Sequence, residues 1–102
     1  MIDAHVLSSV SARTELDVVH GPFRPTPAQS RVLELVALGL SSREIGARLW
    51  ISRQTVTYHI SNLLVKLDAP TRAGLVARAY ALGLLEPGCW PPRAPAFVDI
   101  YA

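Results

Sequence analysis

The chain has 102 residues, half of them hydrophobic, enough for one folded domain with a modest core and too few for two. No apolar run approaches the ~20 residues that span a bilayer, and the first residues lack the cationic and apolar regions of a secretory signal. The net charge of +2 is unevenly placed: from Thr26 to Leu85 seven Lys or Arg face three acids, giving +4, and the flanks carry three Arg against five acids, giving −2. A basic centre of that size suits a polyanion partner held by few phosphate contacts per chain.

Residues 1–25 read as an arm and linker. Val6, Leu7 and Val10 suit a short helix, Leu16, Val18 and Val19 suit packing on the domain, and His20-Gly-Pro-Phe-Arg-Pro reads as a turn. At Thr26 order begins. Thr26 is an N-cap candidate, Pro27 suits the first helical position, and Gln29 completes a capping box. The helix that follows buries some of Val32, Leu33, Leu35, Val36 and Leu40, and Gly39 ends it. No proline occurs between Ala28 and Ala69, which marks the block as one unit.

Ser41 and Glu44 have the spacing of a second capping box, so a short helix starts at Ser41 or Ser42, with Ile45, Ala47 or Arg48, and Leu49 on its inward side. A turn at Trp50-Ile51-Ser52 follows, and Ser52 caps a longer helix. Val56, Ile60, Leu63, Leu64 and Leu67 form its buried stripe. Gln54, Thr57, Tyr58 and Ser61 fall on the opposite face, nearly uncharged but rich in hydrogen-bonding groups. Arg43, Arg48, Arg53, His59 and Lys66 surround it. Two helices, the second with a polar face ringed by cations, are what a helix-turn-helix requires.

Pro70 breaks the chain and Thr71 caps a fourth helix from Arg72 to about Leu82, with Leu75, Val76, Ala79 and Leu82 or Gly83 as its apolar stripe. Ala73, Ala77, Tyr80, Ala81 and Leu84 add more apolar surface than a solvated face needs, which suits either small-residue filler or a two-fold helix–helix contact. Residues 86–102 hold four of the eight prolines together with Trp90, Phe97, Val98, Ile100 and Tyr101, too apolar for an idle tail. Folding back on the domain and binding a partner, RNA polymerase or another regulator, both fit. His5, His20 and His59 lack metal-ligand spacing, and nothing in the sequence pairs His59 with Cys89 as a catalytic couple. The sequence therefore implies no enzyme, no metal and no cofactor. Cys89 alone cannot form an internal disulfide, which agrees with a cytoplasmic protein.

The block from Thr26 to Leu85 resembles the DNA-binding domain of the LuxR/NarL (GerE-like) family of bacterial transcription regulators. The resemblance rests on Thr26-Pro27, Val32-Leu33, Gly39-Leu40-Ser41, Glu44-Ile45-Gly46, Leu49, Ile51-Ser52, Thr55-Val56, His59-Ile60, Asn62-Leu63, Lys66-Leu67 and the Arg72 to Leu85 helix. It implies an all-α, four-helix domain, residues 26–85, with irregular extensions at residues 1–25 and 86–102. It also implies that the third helix (Ser52 to Leu67) enters the major groove of duplex DNA and the fourth makes a homodimer. Carried over by position, Thr57, Tyr58 and Ser61 face base edges, with Gln54 beside them on the same helix face, and Val56 is a buried or semi-buried anchor. Thr55 and Lys66 likewise meet the DNA backbone, and the basic residues Arg43, Arg53 and His59 around the face are further backbone candidates. Leu75, Ala77, Tyr80, Ala81 and Leu84 are the dimer candidates. Two positions depart from the family pattern: Thr57 stands where Lys or Arg is usual, and Asp68 stands where Gly is usual after Lys-Leu. A receiver or ligand-binding domain usually precedes such a unit, so 25 residues suggest a stand-alone effector. The other readings are a helix-turn-helix fold that binds protein rather than specific DNA, and a promoter-recognition piece of a sigma factor.

Overall fold

The computed structural model describes residues 23–95. The expectations for the N-terminal arm, and for Phe97, Val98, Ile100 and Tyr101, lie outside the described residues. Within them the chain forms four helices and no strand: α1 (Pro27–Leu38), α2 (Ser42–Leu49), α3 (Arg53–Lys66) and α4 (Arg72–Ala81).

Each helix begins on a hydroxyl that satisfies an otherwise orphaned N–H. Thr26 and Gln29 form a reciprocal capping box, with Gln29 N–H donating to Thr26 Oγ1 at 3.1 Å and Thr26 N–H donating to Gln29 Oε1 at 2.9 Å. Ser41 and Glu44 repeat it at 3.1 and 2.8 Å. Ser52 accepts from Thr55 N–H at 3.0 Å and Thr71 from Gly74 N–H at 3.0 Å.

The helix ends also share one device. Gly39, Trp50, Asp68 and Gly83 all take the left-handed conformation, with φ of 98°, 60°, 54° and 77°. After α1, α3 and α4 the residue beyond the left-handed one bonds back across the last turn: Leu40 N–H to Leu35 O, Ala69 N–H to Leu64 O and Leu84 N–H to Ala79 O, at 2.8–3.1 Å. This is the Schellman closure. Asp68 thus keeps the backbone that a glycine would take there, and the corner after α3 is preserved.

The core gathers Val32, Leu33 and Val36 from α1, Ile45 from α2, Val56, Ile60 and Leu63 from α3, and Leu75 and Ala79 from α4, closed by Leu67, Ala69, Leu84 and Leu85. Leu64 is only half-buried. Both α1 and α3 pack on all three other helices. Two arginines fasten α4: Arg72 donates to Leu40 O (2.8 Å) and Ser42 Oγ (3.2 Å) at the α1–α2 turn, and Arg78 donates to Leu67 O at the end of α3.

Two inward assignments need correction. On α2, Ala47 and Arg48 are exposed, and buried Gly46 takes the inward place beside Ile45 because the α2–α3 turn lies directly on it. On α4, Leu82 is 56% exposed and Gly83 is exposed, because the helix stops at Ala81 and the chain turns so that Leu84 and Leu85 enter the core instead.

The described part of the C-terminal segment folds back. Glu86 N–H donates to Arg93 O (2.8 Å), Pro92 is buried, and Ala94 N–H donates to Glu34 Oε2 on α1 (2.7 Å).

Candidate nucleic-acid interface

The helix pair α2–α3 is set by its turn. Trp50 and Ile51 N–H both donate to Gly46 O, and Ile51 O lies so near Gly46 that a Cβ there would approach it to 2.7 Å. Only glycine permits that approach, so Gly46 fixes how α3 leaves α2.

Along α3, Val56, Ile60 and Leu63 point into the core, which turns Gln54, Thr57, Tyr58 and Ser61 outward; all four are exposed. Gln54 and Ser61 are seven residues apart, about 10 Å along the axis, which covers about three base-pair steps. Val56 is fully buried, as the resemblance implied. Tyr58 is 65% exposed, its ring 6.0 Å from that of His59. Val65, 75% exposed, extends the same face by one turn. Sequence reasoning missed it, although its spacing of four from Ser61 and seven from Tyr58 places it on that stripe.

Arg43, Arg48, Arg53 and Lys66 are exposed around this face, as is Thr55, whose hydroxyl sits 2.9 Å from that of Ser52 at the start of α3. His59 is half-buried and its Nδ1 is enclosed without a hydrogen-bond partner, so a phosphate contact from it falls to Nε2. No Asp or Glu occurs between Glu44 and Asp68. Four of the seven cations of the central block, Arg43, Arg48, Arg53 and Lys66, lie on α2 and α3, whereas Arg72 and Arg78 hold backbone carbonyls. Glu44 sits among these cations. The Ser41 backbone N–H that it accepts, then the Ser41 hydroxyl, hold its carboxyl below the ordinary carboxylate range.

The dimer candidates divide. Leu75 and Leu84 are buried in the core of the single chain, which removes them from any contact between copies; the sequence showed that they are apolar and not which way the α4 end turns. Tyr80 is half-buried against the core, and Ala77 and Ala81 are exposed. Cys89 donates to Glu86 Oε2 at 3.3 Å, and that bond pushes its thiol up, opposite to what a nucleophile needs. Among the described residues no group of His, Cys, Asp and Glu could hold a metal ion, and no helix is long and apolar enough to cross a membrane.

A compact helix pair with a polar outward face and a cationic border defines a helix-turn-helix protein of the DNA-binding class. The family model described as bacterial regulatory proteins, luxR family, matches residues 26–79, and the chain belongs to that family. The chain is 39% identical over 85 residues to the quorum sensing-dependent transcriptional regulator RpaR of Rhodopseudomonas palustris, covering 78% of this chain and 35% of that protein. It is 38% identical over 82 residues to the transcriptional activator SolR of Ralstonia nicotianae, covering 80% and 34%. A nitrate/nitrite response regulator homologue of Haemophilus influenzae is 47% identical over 47 residues, covering 46% and 23%. The chain thus spans about a third of the length of the first two relatives and less of the third. The first two relatives carry names of transcriptional regulators.

Proposed function

We propose that the chain binds duplex DNA sequence-specifically as a two-fold dimer and regulates transcription, with α3 in the major groove. The observation that carries this is the exposed, uncharged face Gln54, Thr57, Tyr58 and Ser61, bordered by Arg43, Arg48, Arg53 and Lys66 with no carboxylate from residue 45 to 67. Phosphate contacts from the cations set register, and the hydroxyls and phenol read base edges. Without Arg or Lys at position 57 the face cannot make a bidentate guanine contact there. It suits thymine methyl groups and shape, hence sites rich in A·T pairs. The exposed side of α4 at Ala77 and Ala81 is the surface for the second copy, and exposed Trp90 of the C-terminal segment is a surface for RNA polymerase or another regulator.

Selection from a random duplex pool with purified protein, read at two salt concentrations, tests this. Enrichment of a two-fold-symmetric, A·T-rich motif is expected. Weak binding that salt abolishes, with no enriched motif, would overturn the reading in favour of a protein-interaction module.

A further inference from the structure

We propose that Trp50 is a DNA-backbone contact, its indole packing on deoxyribose and phosphate beside the start of α3. The inference rests on the DNA-binding reading and adds a residue that the reading face does not include.

Four helices end on a left-handed residue, and the occupants differ in what they sacrifice. Gly39 and Gly83 have no Cβ to strain. Asp68 has a short polar side chain, which tolerates this conformation. Trp50 has neither excuse: at φ 60° its Cβ is crowded, and with 92% of its surface exposed it gains no burial in return. A bulky residue kept in a strained conformation without packing inside its own chain points to a contact outside it.

The occupant follows from the surroundings. Arg48 and Arg53 flank Trp50 in the chain, both exposed, and the segment has no carboxylate. Ser52 caps the 14-residue α3 just beyond it, where helix polarity favours an anion. An apolar ring between cations matches the alternation of sugar carbons and phosphates along a DNA strand, and the indole N–H can donate to a phosphate oxygen. The backbone bonds of Trp50 and Ile51 to Gly46 O hold the corner, so the ring is offered from a fixed position.

The test uses the full chain carrying Trp90→Phe, which leaves Trp50 as its sole tryptophan reporter. A fluorescently labelled mixed-sequence duplex at low salt reports binding by anisotropy, and tryptophan emission with acrylamide quenching reports Trp50. Binding should quench the emission and lower the acrylamide quenching constant severalfold. A rise in anisotropy with both signals unchanged would overturn the Trp50 contact and leave DNA binding standing; no rise in anisotropy would overturn both. In the native background, Trp50→Gly relieves the left-handed strain, so its melting temperature should hold or rise while affinity falls severalfold. Its salt slope should stay the same, because no cation is lost. Undiminished affinity in Trp50→Gly would also overturn the contact.

Discussion

Thr57 and Ser61 each present one hydroxyl on the exposed face of α3, about one helical turn apart. A hydroxyl discriminates bases through a hydrogen bond or, for threonine, a methyl contact, and contributes little to long-range attraction. Thr57→Ala and Ser61→Ala should therefore reduce the ratio of specific to random-DNA affinity about fivefold or more each, with random-DNA affinity nearly unchanged. Competition titrations measure both; equal losses on the two DNAs would remove these residues from base reading. Arg53 and Lys66 should behave in the opposite way. Replacing either by Ala should weaken binding to every duplex and lower the slope of log affinity against log salt by about one. An unchanged slope would take that residue off the phosphate surface.

At the scale of elements, two capping boxes differ in one atom type with a consequence for pH. Gln29 closes the box of α1 and is indifferent to pH, whereas Glu44 closes that of α2 with a carboxylate whose pKa is held down by Ser41. A depressed folded pKa gives stability that is present above the ordinary carboxylate value of 4.5 and is lost as pH falls through the lower folded value. Glu44→Gln keeps the acceptor oxygen, so the melting temperature should become flatter with pH across that acid window. A melting profile as steep as that of the parent chain would assign the acid sensitivity elsewhere. The corner after α3 gives a second case. Asp68→Gly keeps φ 54° without a crowded Cβ and should stabilise the fold by up to about 1 kcal/mol in denaturant titration. A loss instead would show that the Asp68 side chain holds the corner. These elements were legible in the sequence because caps, prolines and the stripe Val56, Ile60, Leu63 act locally. Val65 was legible by its spacing from Tyr58 and Ser61, whereas Trp50 was not, since the exposure of a large apolar residue in a turn depends on how neighbouring helices stack. Nor were the Arg72 and Arg78 bonds to Leu40 and Leu67 carbonyls, which join residues 32 and 11 positions apart.

For the whole molecule, the outcome turns on which apolar residues of α4 serve the chain's own core and which remain for a second copy. Leu75 is fully buried among the other helices, so Leu75→Ala should cost about 2–5 kcal/mol through lost contacts and a residual cavity. Its effect on DNA binding would then follow from unfolding and say nothing about dimers. Ala77 and Ala81 are exposed, so Ala77→Glu leaves the core intact and should hold the melting temperature within a few degrees. If α4 joins two copies, that charge meets its own symmetry mate across a two-fold axis, where like charges repel. Sedimentation should then show a monomer, and binding to a two-fold site should lose its cooperativity while half-site binding survives. The salt slope carries the same information independently. Four exposed cations on α2 and α3 of one chain allow a slope of about −4, and two chains allow about −7. Ala77→Glu should move the slope from the steeper value toward the shallower one. A variant that still sediments as a dimer and keeps the steep slope would place the two-fold contact on another face of the molecule.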